Sequence, residues 1–442
     1  MEINKVANGA ALEDLDIFRN SPFLSYLVGD GSWRETIRLP DQAKARMEDD
    51  QTGTQSLQSF RRKIRRFVQD QEAAVLALRR FRVRTLLTLA RLDLEGRLKP
   101  HQVRARLKNL SEFQVQEAWW LAETSLREKY VHPLILERRN INPPMAVCSL
   151  SRLGSGEPWY TTGPAPLFVH SRAAEFAPAL TERDFTLARR SKKEWLPARE
   201  YFHRLARRTM SNLSVPDPGG KGFGHMTEDF PPVRPALLPG ALVVLFSAFE
   251  EHFLSLRPVK ERLSLMRLRF LVGLERLGRA VEAASRHVLL RTAEELGARL
   301  KAGINAWYKD RATAEGLPLV SGGLLDIERR IRLIQFRYAP DDLSLLVPSP
   351  LKAMDLLARR GLISGETKRV LSRAYTWQWF LANRLSLLGG RWALDRQGLN
   401  SGRLDGKLGL PGASARTLEL MKSAQETLSD LTKETRRESA AL

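Results

Sequence analysis

The chain has 442 residues, of which 43% are hydrophobic and 27% are charged, and its formal net charge at pH 7 is +21. This composition excludes a disordered chain, and no stretch approaches the roughly 20 consecutive apolar residues that a membrane helix needs. One cysteine excludes an intrachain disulfide, and with an N-terminus unlike a secretory signal it predicts a cytoplasmic protein.

The excess positive charge favours partners that carry phosphate groups or an acidic surface. The arginines are spread along helical segments, without zinc-finger spacing or the aromatic signature of RNA-binding domains. A solvated basic surface is therefore favoured over a nucleic-acid site. Nucleic-acid binding stays an alternative hypothesis, motivated by the net charge and the basic segment from Arg61 to Arg84.

The first part of the chain is helical after an irregular start. Within residues 1–55, the segment SPFLSYLVGDGSWRETIRL favours two short helices separated by glycine. From about Ser56, apolar residues recur mostly at helical steps. A second helix is predicted from about Lys99 to Tyr130, with a break near Asn109.

The pattern changes at Asn142, where two prolines precede a short apolar run that ends in glycine. NPPMAVCSLSRLG, PLFVHS and ALLPGALVVLF are three strand candidates. A helix is predicted between the second and third, starting after Pro197, and the turn-rich segment VPDPGGKGFG follows it. Residues 142–250 therefore read as a small α/β or α+β domain.

Helical periodicity returns after Glu250. Leu263, Met266, Phe270 and Leu277 recur at steps that predict one long amphipathic helix. SGGLLDIERRIRLIQFRYA predicts a turn that opens a helix. KAMDLLARRGLISGETKRVLSRAYTWQWFLANRLSLL predicts two antiparallel helices separated by a Ser/Gly break, and the charged tail KETRRESAAL is expected to fray.

Seven segments, in the same order, resemble those of one half of the bacterial glutamine synthetase adenylyltransferase family. The segments are SPFLSYLV, LRRFRVRTLLTLARLDLEGRL, SRLGSGEPWY, EYFHRLARRTMSNLS, ALVVLFSAFEEHF, GGLLDIERRIRLIQFRY and AYTWQWFLANRLSLL. Members of that family are tandem enzymes that attach AMP to glutamine synthetase and remove it.

The resemblance implies a mostly helical α+β chain, with a polymerase-β-like nucleotidyltransferase domain between two helical regions. We expect an N-terminal helical region over 1–141, the nucleotidyltransferase-like domain over 142–255, and a C-terminal helical bundle over 256–435.

The resemblance also implies that the metal-binding carboxylates of the family are missing. The family holds two divalent metals with a D-x-D motif on one strand and a third carboxylate on a neighbouring strand. The two D-x-D positions fall on Gly163 and Ala165, alternating with prolines that would weaken that strand. The third position falls on Phe230 in TEDFPPVRP. No metal ligand and no catalytic residue is therefore predicted.

The glycine loop of the family is partly kept in SRLGSGEPWY. Backbone N–H groups in such a turn can bind phosphate. Two interpretations remain, an ordinary turn, which is favoured, and a vestigial phosphate loop. The candidate phosphate-binding residues are Arg152, Gly154, Ser155 and Gly156.

Further residues match the family in the C-terminal helices. Asp326 and Glu328 match its D-I-E, and Arg384 matches a late arginine. Asp326 is favoured as a negative charge at a helix N-terminus. The scattered histidines show no metal-binding spacing, and Cys148 is expected to be buried and inert. Trp119, Trp120, Trp377 and Trp379 are expected in the core.

The favoured hypothesis is a degenerate, catalytically inactive relative that regulates or binds a protein in nitrogen metabolism and needs no cofactor; residual ATP binding is left open as an alternative. Family precedent suggests glutamine synthetase or a PII-type signal protein as the partner. The enzyme alternative is an adenylyl-transferring protein that uses ATP and Mg²⁺ at a metal site rebuilt from acids such as Glu157, Glu228 and Asp229.

Overall fold

The computed structural model describes residues 54–67, 70–131, 145–171, 194–196, 198–214, 243–315, 319–387, 405 and 410–441. SPFLSYLV, VPDPGGKGFG and TEDFPPVRP, with Glu228, Asp229 and Phe230, lie outside these residues. The chain is a mostly helical α+β protein with a small mixed sheet, as expected from the sequence.

The N-terminal described segment forms three helices and a short strand. The bounds are α1 Thr54–Ile64, α2 Gln71–Leu94, α3 Pro100–Lys129 and β1 Tyr130–Val131. The Asp70 carboxylate accepts the Ala73 N–H and caps α2. The predicted break near Asn109 is wrong, because α3 continues through it. The neighbouring Leu107 and Leu110 are buried, so packing outweighs the low helix propensity of asparagine.

The middle of the chain supplies the sheet and several helices. The bounds are β2 Met145–Ser149, β3 Pro166–His170, β4 Glu194–Trp195, α4 Ala198–Ser214, β5 Val243–Leu245, α5 Phe249–Leu256, α6 Val259–Ser264, β6 Arg269–Gly273 and α7 Glu275–Leu296. All three predicted strands and the helix after Pro197 are confirmed. The main sheet has the order β5-β3-β2-β6, with β3 and β5 parallel and the other pairs antiparallel.

The C-terminal part is helical. The bounds are α8 Leu300–Glu315, α9 Leu324–Tyr338, α10 Pro350–Arg359, α11 Gly365–Leu387 and α12 Ala413–Ala441. The predicted helix after the double glycine is α9, and the predicted pair is α10 and α11. The Ser349 hydroxyl caps α10, whose first residue is a proline, as helix starts favour. The tail expected to fray continues as helix to Ala441.

The predicted long helix through Phe270 is wrong. Leu263 lies in α6 and Leu277 in α7, but the residues between them include strand β6, which pairs with β2. The apolar spacing reflects burial of successive short elements rather than one helical face. Strand β6 also lies beyond residue 255, where the nucleotidyltransferase-like domain was predicted to end. The division into three domains stays a prediction.

Both faces of the sheet are buried. The side chains of β2 point alternately to its two faces, and each face packs against an apolar cluster. Ala146 and Cys148 belong to a core cluster that extends from Leu57 to Leu431. Met145 and Val147 face a second cluster, which includes apolar residues of α3 and α4. Cys148 is buried as expected, and burial, with a smaller contribution from Glu282, raises the pKa of its thiol.

Trp119 and Trp379 are buried, and Trp120 and Trp377 pack against the main core in partly buried positions. All four tryptophans therefore occupy the core positions predicted for them. No helix in the described part of the chain combines the length and apolarity needed to cross a membrane.

Gly273 at the end of β6 has φ +112°, and a Cβ atom there would lie 2.1 Å from the Met145 carbonyl oxygen. We expect Gly273→Ala to lower the free energy of unfolding by roughly 2–4 kcal/mol, because it combines backbone strain with a clash. Urea denaturation followed by circular dichroism measures this.

Gly96→Ala is the matched control. Gly96 has φ +71°, but a Cβ atom there would meet nothing within 4 Å. We expect the control to cost only about 1 kcal/mol. Equal costs for the two variants would show that the close approach of β6 and β2 is not what requires glycine at Gly273.

Candidate functional site

The glycine turn begins one residue after β2 and occupies residues 151–156. Leu153 N–H donates to the Ser151 hydroxyl oxygen, at 3.2 Å, and Gly154 N–H donates to the Ser151 carbonyl, at 2.9 Å. Gly156 N–H donates to Leu153 O at 2.9 Å, and Glu157 N–H donates to Arg152 O at 3.0 Å. These N–H groups are used within the turn itself.

The turn is packed into the protein. Arg152, Gly154 and Ser155 are buried, and Gly156 is half-buried. A Cβ atom on Gly154 would lie 1.8 Å from the carbonyl oxygen of Arg267, so this contact requires glycine. The Arg269 guanidinium donates to the carbonyl oxygens of Leu153 and Gly154. A phosphate would have to reach the turn past these contacts, and phosphate binding by the turn stays a prediction.

Arg152, the basic residue of the turn, forms a buried ion cluster with Glu328 and Arg267. Its Nη1 lies 3.1 Å from Glu328 Oε1, and Arg267 Nη2 lies 2.8 Å from Glu328 Oε2. Each of these side chains is at most 4% exposed. Burial opposes the charge of Glu328, but the attraction of Arg152, Arg267 and Arg311 outweighs it and holds the pKa of Glu328 well below its usual range.

Tyr375 of α11 connects this cluster to Glu157, the residue after the turn. Its hydroxyl lies 2.8 Å from Glu328 Oε1 and also within hydrogen-bond distance of Glu157 Oε2. The Ser349 hydroxyl donates to Glu157 Oε1 at 3.1 Å, and the Trp379 indole N–H donates to the Glu157 carbonyl at 3.2 Å. Glu157, an acid proposed for a rebuilt metal site, is therefore held among the C-terminal helices.

A second buried cluster joins Arg384 to Asp93 at the end of α2. Arg384 Nε and Nη2 lie 3.1 and 2.9 Å from Asp93 Oδ1. The Tyr160 hydroxyl donates to Asp93 Oδ2 at 3.0 Å, and Tyr160 N–H donates to the Asn383 side chain. Arg384, singled out by the resemblance, thus anchors helix α11 to α2 and to the segment after the glycine turn.

Asp326 lies in the first turn of α9, as its predicted structural role requires. Its carboxylate accepts the N–H of Gly322 at 3.0 Å and pairs with Arg329 and Arg330. A negative charge at this position also interacts favourably with the helix dipole.

Gly163 and Ala165, at the two D-x-D positions, lie just before β3 rather than on it, because the strand begins at Pro166. The hydroxyl of Ser151 donates to Gly163 O, and that of Ser149 donates to Pro164 O. Ala165 has φ +39°, a left-handed conformation that is uncommon for a residue with a side chain. This agrees with the strand candidate PLFVHS, which begins at Pro166, and with the expectation that the prolines weaken a strand at Gly163 and Ala165.

No cluster of three or more histidine, cysteine, aspartate or glutamate residues suited to a metal occurs in the ranges given above. The neighbourhood of the third family carboxylate, at TEDFPPVRP, lies outside those ranges. The enzyme alternative that uses Glu228 and Asp229 therefore stays a prediction.

Part of the basic N-terminal segment is involved in internal contacts. Arg61 pairs with the buried Glu117, and the Arg65 guanidinium lies 4.9 Å from the centre of the Trp120 ring. Such contacts give these arginines a structural role, and binding of nucleic acid to this segment stays a prediction.

The residues that the sequence did not single out are Arg267, Tyr375 and Asp93. Tyr375 and Trp379 stand one helical turn apart on α11, and both contact Glu157. The sequence shows the helical spacing of these two residues, but it does not show that Glu157 is their common partner. Arg267 is not singled out because the sequence pattern predicts one long helix over its region.

A family model described as glutamate-ammonia ligase adenylyltransferase matches residues 24–284. The match includes the glycine turn, the sheet and helices α1 to α6. The segments around Asp326, Glu328 and Arg384 come after residue 284, so their resemblance to the family stays a prediction.

We expect Glu328→Gln to lower the free energy of unfolding by about 3–5 kcal/mol, because it leaves two buried guanidinium groups without their counter-ion. Chemical denaturation at pH 7 measures the change. Glu366→Gln is the control, since Glu366 forms an exposed pair with Arg369, and such pairs contribute little to stability. Similar costs for both variants would contradict a stabilising role of the buried cluster.

Proposed function

Because this chain belongs to the glutamate-ammonia ligase adenylyltransferase family, we propose that it is a non-catalytic member that acts by binding another protein. The observation that carries the proposal is the identity of Gly163 and Ala165 at the two positions where the family has metal-binding aspartates. Neither side chain has an oxygen atom. Phosphoryl and nucleotidyl transfer need carboxylates there to hold the divalent metals that neutralise the triphosphate.

The surroundings of the glycine turn support this proposal. Arg152, at the basic position of the family loop, has its guanidinium in the buried cluster with Glu328. The Glu157 carboxylate contacts Tyr375 and Ser349. Both side chains therefore contribute to packing between the glycine turn and the C-terminal helices.

The partner we propose is glutamine synthetase, with a PII-type signal protein as the second candidate, in bacterial nitrogen metabolism. The support is family membership, since the family is described by its action on glutamate-ammonia ligase. A relative that keeps the fold but lacks the metal ligands can retain the surface that recognises this enzyme.

Incubation of the purified chain with labelled ATP, Mg²⁺ or Mn²⁺, and glutamine synthetase tests the absence of catalysis. We expect no label on glutamine synthetase, and no release of AMP from adenylylated glutamine synthetase in the presence of phosphate. A family member that has the D-x-D motif serves as the positive control. Transfer or release of AMP by this chain above the background of a heat-denatured sample would overturn the proposal.

The binding part of the proposal needs its own experiment, because a chain with net charge +21 can bind acidic proteins nonspecifically. We expect saturable binding to immobilised glutamine synthetase or PII-type protein that persists when the ionic strength is raised to about 0.5 M, where exposed charges are strongly screened. Lysozyme, another basic protein, is the control for charge. Binding that disappears at this ionic strength would be explained by charge attraction alone and would overturn the binding part of the proposal.

A further inference from the structure

The hydroxyl of Tyr375 lies within hydrogen-bond distance of two buried carboxyl groups, those of Glu157 and Glu328. A tyrosine hydroxyl has one proton to donate and can accept through its oxygen. If both carboxyl groups were ionised, the single tyrosine proton could bond to only one of them. At the other contact, the tyrosine oxygen and a carboxylate oxygen would face each other in a buried place with no proton between them. Such an unsatisfied contact is costly, so the geometry requires one more proton among the three groups.

Glu328 is the carboxyl that stays ionised. It receives the guanidinium groups of Arg152 and Arg267 on its two oxygens, at 3.1 and 2.8 Å. Charge-assisted bonds of this kind stabilise the carboxylate form. Glu157 has no comparable guanidinium bond among its described contacts, and its partners are the neutral groups of Ser349 and Tyr375.

We propose that Glu157 carries a proton at neutral pH and donates it to the oxygen of Tyr375, whose own proton is donated to Glu328 Oε1. The Ser349 hydroxyl donates to the remaining oxygen of Glu157. The hydroxyl of Ser349, the protonated carboxyl of Glu157 and the hydroxyl of Tyr375 then each have an acceptor. The one negative charge, on Glu328, is paired with Arg152 and Arg267. The neutral carboxyl forms a pH-sensitive contact between the glycine turn and helix α11.

The charged and titratable groups that face Glu157 come from several elements. They are Arg104 of α3, Arg152 of the turn, Glu328 of α9 and Tyr375 of α11. Burial is the largest influence on the pKa of Glu157 and raises it. Glu328 also raises it, while the Tyr375 hydrogen bond and then Arg104 and Arg152 act in the opposite direction, with a net increase.

The direction of the pH dependence follows from this increase. The folded state retains a proton that the unfolded state loses above about pH 4.3, the ordinary pKa of glutamate. The contribution of Glu157 to stability is therefore complete below that pH and is lost as the pH rises through the folded-state pKa. One retained proton changes the unfolding equilibrium constant by up to tenfold per pH unit in this window.

Glu157→Gln is the sharpest test, because an amide can donate to Tyr375 and accept from Ser349 as the protonated acid does. We expect the unfolding equilibrium constant of the wild type, divided by that of the variant, to rise between pH 4.5 and pH 8. At pH 8 we expect the variant to be at least as stable as the wild type. Urea denaturation at a series of pH values measures this ratio. A variant destabilised more than tenfold at pH 8 would overturn the proposal.

Infrared spectroscopy supplies a readout that does not depend on stability. A protonated carboxyl has a carbonyl stretching band that an ionised carboxylate lacks, and it shifts in D₂O. We expect such a band at pH 7 in the wild type and its loss in Glu157→Gln. Glu117→Gln is the matched control, because Glu117 is buried but bonded to the Arg61 guanidinium. A wild-type band that Glu157→Gln leaves unchanged would overturn the assignment of the proton to Glu157.

Discussion

The buried ion cluster of Arg152, Glu328 and Arg267 is the interaction on which the arrangement of the chain most depends. Its members come from the glycine turn, from helix α9 and from the residues just before β6. Removing charges from water is expensive, and good geometry with further hydrogen bonds is needed to offset that cost. Here two guanidinium groups and the Tyr375 hydroxyl surround one carboxylate, so the three segments can come together only in a specific arrangement.

This constraint determines which way the glycine turn faces. With Arg152 directed into the cluster and Gly154 against the backbone of Arg267, the turn packs inward against the C-terminal helices. The Asp93–Arg384 pair also holds the C-terminal helices against the rest of the chain, because it joins α11 to α2. Asp93 accepts a further hydrogen bond from Tyr160, which follows the glycine turn. A single hydrophobic cluster runs through the same elements. Buried ion pairs and apolar packing therefore hold the sheet and the C-terminal helices together.

The sequence predicted most of the local structure, because strong helical periodicity, prolines and capping residues act over a few neighbouring positions. Strand β6 was missed for the same reason. Its residues have helix-compatible spacing, and only pairing with β2 makes them a strand. Family resemblance pointed to Arg152, Glu328 and Arg384 one at a time. It could not show that Arg152 and Glu328 contact each other, because their separation of 176 residues is bridged only by the tertiary fold.

The residues Gly163 and Ala165 fit the packing of the turn nearby. The hydroxyls of Ser149 and Ser151 bond to the carbonyl oxygens of Pro164 and Gly163, so this segment is fixed by its backbone rather than by its side chains. Aspartates in a metal site repel one another unless a cation lies between them. Gly163 and Ala165 avoid that repulsion, and the neighbouring prolines restrict the backbone without any metal. Such a metal-independent segment fits the proposed loss of catalysis.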